Sequence, residues 1–215
     1  LISELGMTEG QLGMVSAFYF IPVAVLAIIV GRALDKYSVK NFMMIGAIIY
    51  AVGLFSLSFI NSYWSLLTIY LTILALGSIM MGNLAVSKLI ANWFDKNAGR
   101  ALGIAAIGIS FSGVMLPLIV DPLLELVGWR NVYVIFASIV FFIILPLVFF
   151  TVIDDPKAVN QVKDGVKKDY KEEFIPEEMT AKDLLSEKVF WIISLAFAFQ
   201  FLSMMGVLAF LPCLL

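Results

Sequence analysis

The sequence predicts an all-α, polytopic transmembrane helical bundle, and three observations lead to that prediction. Hydrophobic residues make up 62% of the 215-residue chain and charged residues only 14%, a balance that soluble domains rarely show. The apolar residues fall into long stretches, each close to the ~20 residues that a helix needs to cross a bilayer. Charged residues fall almost entirely between these stretches. Because lipid offers no hydrogen-bond partners, such segments must be helices that satisfy their own backbones.

Six spans are predicted along the chain. They cover residues 11–31, 41–60, 63–91, 101–127, 131–153 and 189–215. Thr8 and Gln11 have the spacing of a capping box at the start of the first span. Gly128 is a natural helix stop between the fourth and fifth spans. The chain begins without methionine and ends inside an apolar run, so we expect it to be a fragment.

Basic residues assign the connections to the two sides of the membrane. Of the fourteen Lys and Arg residues, three lie in 32–40, two in 92–100 and seven in 154–188, whereas the opposite side has only Arg130. The positive-inside rule places the three basic connections in the cytoplasm. All four tryptophans also fall at predicted span ends, which indoles prefer. We therefore expect a multi-pass integral protein of the plasma (inner) membrane.

Residues 154–188 differ in composition from the rest of the chain. They are rich in Lys, Asp and Glu and include Pro156 and Pro176, which is typical of a solvated linker. The predicted organisation is a bundle over 1–153, a cytoplasmic linker over 154–188, and the first helix of a second bundle over 189–215.

One connection carries a family resemblance. The stretch 31–40, GRALDKYSVK, resembles the signature between the second and third helices of the major facilitator superfamily. Ser38 replaces the second glycine of that signature, which predicts a less tight turn, and Asn41 replaces its last basic residue. The runs NWF at 92–94, GRALG at 99–103 and GWRNVY at 128–133 resemble the branch that contains monocarboxylate transporters and oxalate/formate antiporters.

This resemblance implies an incomplete major facilitator fold, in which the six spans are helices two to seven of twelve. Two six-helix bundles would then enclose a substrate site near the midplane. The implied activity is secondary active transport of a small organic anion, a mono- or dicarboxylate, by exchange or with a proton. The implied partners are the lipid bilayer, this anion, and a proton or counter-anion.

The resemblance also implies a gating motif on the cytoplasmic side, where the family's loop lies against the opposite bundle and its aspartate faces a helix N-terminus. The alternative is an ordinary loop that only sets topology. Asp95 and Arg100 could pair with Lys40 or with each other, and a solvated loop explains them equally well. The gating residues are Gly31, Asp35, Lys36, Lys40, Asp95 and Arg100.

Five polar side chains within spans are candidates for the substrate cavity. Lys88 is the only charged residue well inside a span, and it either extends to the cytoplasmic interface or points inward, where it could attract an anion. Asn83 and Ser87 are four residues apart and so share a helix face. Each of these side chains could instead make an interhelical hydrogen bond. The candidates are Tyr19, Asn83, Ser87, Lys88 and Gln200.

Small residues recur at steps of four and three along the fourth span, which places them on one helix face. Such faces let membrane helices approach closely, so we expect this one to pack against a neighbour, and a sliding contact between bundles is the alternative. The packing residues are Gly103, Gly113 and Pro117.

Several classes of protein are disfavoured by what the sequence lacks. It has no histidine and one cysteine, Cys213, so we expect no disulfide, no metal site and no cofactor. No phosphate-binding glycine loop or Gly-x-Ser-x-Gly elbow occurs, so we expect no enzyme, and no basic patch suggests nucleic acid. The main alternative to a transporter is a transporter-like membrane sensor or partner subunit that signals through 154–188.

Overall fold

The computed structural model describes residue 4, residues 6–163 and a few later positions. Those later positions, all helical, are Ser186, Lys188, Trp191, Ile192, Ser194, Leu195, Ala196 and Phe199. The chain divides into two compact units, Leu1–Lys167 and Lys168–Leu215. Most of the predicted sixth span and most of the linker lie outside the described residues.

The first unit is built from helices. They are α1 (Glu9–Lys36), α2 (Val39–Leu57), α3 (Tyr63–Ile69), a π-helical turn (Tyr70–Leu74), α4 (Ala75–Met81), α5 (Asn83–Trp93), α6 (Ala98–Ile139), a second π-helical turn (Val140–Ile144), α7 (Leu145–Thr151) and a 3-10 helix (Pro156–Val159). Over residues 6–163 the structure contains no strand, which agrees with the predicted all-α class.

Within residues 6–163, four helical stretches are long and apolar enough to cross a membrane. They are Gly10–Lys36, Val39–Leu57, Tyr63–Trp93 and Ala98–Thr151. The last has 54 residues, or ~80 Å of helix, far more than one crossing of a ~30 Å core requires. Gly128 interrupts it with φ 76° and ψ 161°, as the sequence predicts. Residues 98–127 and 129–151 are thus the fourth and fifth spans.

The prediction of a loop at 32–40 is wrong. Helix α1 continues to Lys36 and α2 begins at Val39, so only Tyr37 and Ser38 connect them. The expected loosening of this turn by Ser38 is wrong as well. Ser38 has φ −60°, a conformation that needs no glycine, and its hydroxyl accepts the Asn41 backbone N–H at 3.2 Å to cap α2.

The start of α1 forms as its sequence predicts. The Thr8 hydroxyl accepts the Gln11 backbone N–H at 3.2 Å, and the Gln11 side chain accepts the Thr8 N–H at 2.9 Å. This reciprocal capping box satisfies two backbone donors that a helix start otherwise leaves free.

Glycine contacts bring α2 and α4 close together. A Cβ atom at Gly77 would lie 2.7 Å from the Tyr50 backbone nitrogen, and one at Gly46 would lie 2.7 Å from the Met80 Cβ. Only glycine fits at such separations, which is how small residues bring membrane helices together. The second and third spans therefore form the centre of the bundle, around which the first and fifth spans pack.

Candidate functional site

The third span, residues 63–93, exposes polar side chains where the other packed spans expose apolar ones. On α2 the exposed positions between residues 45 and 55 are all apolar, and so are those between 139 and 150 on the fifth span. The exposed polar residues of the third span are Thr68, Thr72, Asn83 and Ser87. We call these four residues the polar stripe.

The polar stripe consists of two pairs of residues, one on each side of Gly82. Thr68 and Thr72 are four residues apart in the first half of the span, and Asn83 and Ser87 are four apart on α5, so the members of each pair share a helix face. The π-helical turn at Tyr70–Leu74 lies in the first half, and turns of this kind occur frequently at functional sites. All four side chains are exposed.

The cavity candidates Asn83 and Ser87 lie on α5, and both side chains are exposed. The hydroxyl of Thr68 donates to the Trp64 carbonyl at 2.8 Å and that of Thr72 donates to the Thr68 carbonyl at 2.6 Å. These two threonines therefore satisfy their own hydroxyls within the helix. The Asn83 side chain needs more hydrogen-bond partners than a threonine hydroxyl, because an amide has two N–H donors and an acceptor oxygen.

Tyr19 makes the interhelical hydrogen bond that was the alternative to a cavity role. Its hydroxyl donates to the Ser78 hydroxyl at 2.5 Å, and its ring centroid lies 6.2 Å from that of Tyr70. The Tyr70 hydroxyl in turn interacts with that of Tyr133, and Tyr50 lies close to this group. Four spans thus each contribute one tyrosine to a cluster inside the bundle. The sequence gives no signal for it, because these tyrosines share no motif or spacing.

Lys88 pairs with Asp35 at the end of the bundle that carries the basic connections 32–40 and 92–100, which we call the inner end. The Lys88 ammonium and the Asp35 carboxylate lie 2.5 Å apart, with the side chains 36% and 66% exposed. Lys88 thus extends toward the basic side of the bundle, and Asp35 binds its charge. The structure therefore places Asp35 against its own bundle through a partner 53 positions away, which sequence spacing alone does not indicate.

The remaining gating candidates lie at or next to the ends of α1, α2 and α6. Gly31 and Lys36 are on the last turns of α1, and a Cβ at Gly31 would make only ordinary contact with Leu84. The Lys40 ammonium lies 4.9 Å from the centre of the Phe149 ring. Asp95 and Arg100 are exposed on either side of the start of α6.

Arg130 connects several residues at the opposite end of the bundle. Its guanidinium stacks on the Trp129 ring at 4.1 Å and donates to the Glu4 carboxylate at 2.6 Å, while the Trp129 indole donates to the same oxygen at 3.0 Å. Longer contacts of 3.4 and 3.5 Å reach the Ile60 carbonyl and the Asn61 amide oxygen. The Arg130 bond, and then the Trp129 bond, hold the pKa of Glu4 below its usual value.

An open pocket of about 460 Å³ lies beside Arg130, between the end of α2 and the start of the fifth span. Its lining residues are Ser58, Phe59, Asn61, Arg130, Asn131 and Val134. It lies at one end of the bundle and does not include the polar stripe.

The fourth span keeps its small-residue face open. A Cβ atom at Gly103 or Gly113 would meet nothing within 4 Å, and Pro117 lies inside the same helix. The predicted close packing of this face is thus not made by residues 6–163. Gln200 lies outside the described residues.

Comparisons with known proteins support one family. A family model described as Major Facilitator Superfamily matches residues 1–214. The chain is 30% identical over 118 residues to MFS-type transporter 1 of Ophiocordyceps sp., and 31% identical over 121 residues to the riboflavin transporter of Saccharomyces cerevisiae. Each of these alignments covers 55% of the chain. No solved structure matches the chain.

A third relative is matched along nearly the whole chain. The glycerol-3-phosphate transporter of Bacillus subtilis is 23% identical over 226 aligned positions, which cover 98% of the chain and 50% of the relative. The chain covers 26% of the Ophiocordyceps transporter and 22% of the riboflavin transporter. It thus spans between about a fifth and half of the length of these curated relatives.

Proposed function

The chain belongs to the major facilitator superfamily, and we propose that it forms part of a secondary active transporter that carries a small organic anion by alternating access. Members of this family are membrane transporters and not enzymes. The observation that supports the proposal most directly is the polar stripe on an exposed face of a membrane span.

The polar stripe is explained better if these side chains face a water-filled path than if they face lipid. A buried amide without partners costs several kcal/mol in hydrocarbon, on the order of 4–8 in transfer to cyclohexane. Asn83 on a lipid-facing surface would bear that cost, whereas in a cavity it can bind water or substrate. We propose that the side of α5 that carries Asn83 and Ser87 lines the substrate cavity.

The chemistry of this surface suits an anion held by neutral donors. Asn83 and Ser87 offer amide and hydroxyl protons to carboxylate or phosphate oxygens. The charge of Lys88 is already bound by Asp35, so the cation that balances the substrate is proposed to come from elsewhere in the transporter. The resemblance to the monocarboxylate and oxalate/formate branch supports a carboxylate. The Bacillus subtilis relative is named for an organic phosphate and the yeast relative for riboflavin, so the family alone does not select the substrate.

The proposed arrangement follows the sequence. Residues 1–153 form most of one bundle, 154–188 a cytoplasmic linker, and 189–215 the first helix of a second bundle. The protein would lie in the plasma membrane and exchange its anion for another, or move it together with a proton. Gly31, Asp35, Lys36, Lys40, Asp95 and Arg100 would contribute to the cytoplasmic gate.

Uptake by the complete transporter in liposomes tests this proposal. Vesicles preloaded with unlabelled anion are given radiolabelled formate, oxalate, lactate or glycerol 3-phosphate. We expect saturable uptake of one of them, accelerated by internal anion, and a fall of about tenfold in uptake for the variant Asn83→Ala, the loss expected when a charge-assisted hydrogen bond is removed. Phe142→Leu, on the apolar surface of the fifth span, is the matched control. Absence of saturable anion uptake, or equal uptake by Asn83→Ala and the control, would contradict the proposal.

A further inference from the structure

The third span contains a break near its middle. Helix α4 ends at Met81, Gly82 has φ −86° and ψ −153°, and α5 begins at Asn83 without a side-chain cap. A Cβ atom at Gly82 would lie 2.4 Å from the Ser78 carbonyl oxygen, so this geometry requires glycine. Helix α5 is thus a separate 11-residue helix, joined to the rest of the span through Gly82.

The far end of α5 is held by residues that follow the fifth span. The Trp93 indole N–H donates to the Ile153 carbonyl at 2.7 Å, and the Asn92 amide donates to the Asp154 carbonyl at 3.0 Å. The Lys163 ammonium donates to the Ala91 carbonyl at 3.2 Å. We call residues 153–163 the inner strap. Three hydrogen bonds therefore join the last turn of α5 to the inner strap.

The inner strap is itself anchored to the bundle. The Asp154 carboxylate accepts the Lys40 backbone N–H at 2.7 Å, in the first turn of α2, where the helix dipole favours a negative charge. Pro156 is almost fully buried, and the Asp155 carboxylate accepts the Lys157 N–H at 2.9 Å to start the 3-10 helix. The position of the strap is thus set by α2, and the strap in turn sets the position of the end of α5.

We propose that the inner strap is a latch on α5, whose release lets this helix turn about Gly82 and reorients Asn83 and Ser87. Helix α5 carries half of the polar stripe, has a glycine break at one end, and is held at the other by the inner strap and by the pair of Lys88 with Asp35. The strap leads directly into residues 164–188, so a force or binding event on the linker would reach α5 through Trp93 and Asn92. The linker would then regulate the cavity wall. The expected effect of the latch on transport rests on the proposed function. The expected movement of α5 does not.

Thiol accessibility tests the latch in the complete protein. In a Cys213→Ser background, Ser87→Cys is modified with a water-soluble maleimide, with and without the double change Trp93→Phe and Asn92→Leu, which removes two of the three strap bonds. We expect the modification rate to rise about fivefold or more, because two hydrogen bonds are lost and each contributes modestly to the stability of the closed arrangement. Trp64→Phe, at the opposite end of the same span, is the matched control and should leave the rate unchanged. An unchanged rate in the double variant would overturn the proposal.

Hydrogen exchange of the unaltered protein provides a second test if the double variant fails to fold. We expect the amides of α5 to exchange as one group, distinct from those of α4, because the two helices open separately. Uniform protection from residue 75 to residue 93 would contradict the latch. A change in Ser87→Cys accessibility without any anion transport would leave the latch intact and count only against the proposed function.

Discussion

The carboxylate of Asp35 and the ammonium group of Lys88 lie 2.5 Å apart and join the inner ends of the first and third spans. Asp35 belongs to the stretch 31–40 that resembles the family signature, whereas Lys88 is the charge that the sequence places inside a span. Each charged group stabilises the other at its position. Asp35 neutralises a cation close to the membrane, and Lys88 holds the carboxylate against its own bundle.

Removing both members of this pair is expected to cost little more than removing either one. Asp35→Asn leaves Lys88 without its counter-ion, and Lys88→Met leaves Asp35 in the same state, whereas the double variant leaves neither. We expect a coupling free energy of about 0.5–1 kcal/mol, the upper part of the range for exposed pairs. Thermal unfolding of the four proteins in detergent measures it. Strictly additive effects would show that the pair does not contribute to stability.

Asp35→Asn should also slow transport while leaving substrate binding nearly unchanged. The pair lies at the inner end of the bundle, away from Asn83, so its loss is expected to alter the rate of conformational exchange. Initial uptake rates over a range of anion concentrations separate the two effects. We expect a lower maximal rate at a similar KM. A raised KM at full maximal rate would assign Asp35 to substrate binding.

Glycine at position 77 should be required for helix packing, whereas glycine at 103 should not. A methyl group at Gly77 would meet the Tyr50 backbone at 2.7 Å, but one at Gly103 would meet nothing within 4 Å. We expect Gly77→Ala to destabilise the protein by about 1–3 kcal/mol, as overpacking does. Gly103→Ala, measured by the same thermal unfolding assay, should be neutral or slightly stabilising. Equal effects at the two sites would mean that α2 and α4 are not in close contact.

The Tyr19–Ser78 hydrogen bond should stabilise the contact between the first and third spans modestly. Tyr19→Phe and Ser78→Ala each remove one side of a 2.5 Å bond and leave most of the packing intact. Hydrogen bonds between membrane helices average about 0.6 kcal/mol, so each change should cost on that order. The double variant should cost little more than either single variant. Fully additive losses in unfolding free energy would show that the two hydroxyls do not interact.

The contact between Glu4 and Arg130 predicts a dependence of stability on pH. The Arg130 bond lowers the pKa of Glu4 from its usual value of 4.5 in the folded protein. A lowered pKa means that the folded state binds the proton less readily than the unfolded state. The stabilisation by ionised Glu4 is therefore present above pH 4.5. It is lost as the pH falls through the pKa of Glu4 in the folded protein. Comparing Tm between pH 3 and 7 for the unaltered protein and Glu4→Gln should show a smaller decrease for the variant. Equal decreases of Tm with pH in the two proteins would show that the contact between Glu4 and Arg130 does not contribute to stability.

Local features of this fold could be predicted from the sequence, whereas contacts between distant residues could not. The Thr8 capping box and the stop at Gly128 depend on neighbouring residues, and both form as predicted. The loop predicted at 32–40 is wrong because charged residues do not by themselves end a helix. Helix α1 runs through Arg32 and Lys36 beyond the apolar stretch, where its C-terminal end favours cations.

The features of the site that sequence reasoning missed depend on pairs of residues far apart in the chain. Asn83 and Ser87 could be placed on one face because they are four residues apart. The break at Gly82 could not be predicted, since a glycine in a span is compatible with a continuous helix. The partners of Lys88 and Trp93 lie 53 and 60 positions away, and no periodicity links them.

Cysteine labelling in intact cells tests the arrangement of the spans, on which the polar stripe, the pair at Asp35 and the inner strap all depend. Asn61→Cys and Lys36→Cys are made separately in a Cys213→Ser background of the complete protein and treated with a membrane-impermeant maleimide. Asn61 lies at the same end of the bundle as Arg130, and Lys36 lies at the end where Asp35 pairs with Lys88. We predict that Asn61→Cys reacts in intact cells and that Lys36→Cys reacts only after the cells are permeabilised. Reaction of both positions from the same side would contradict this account.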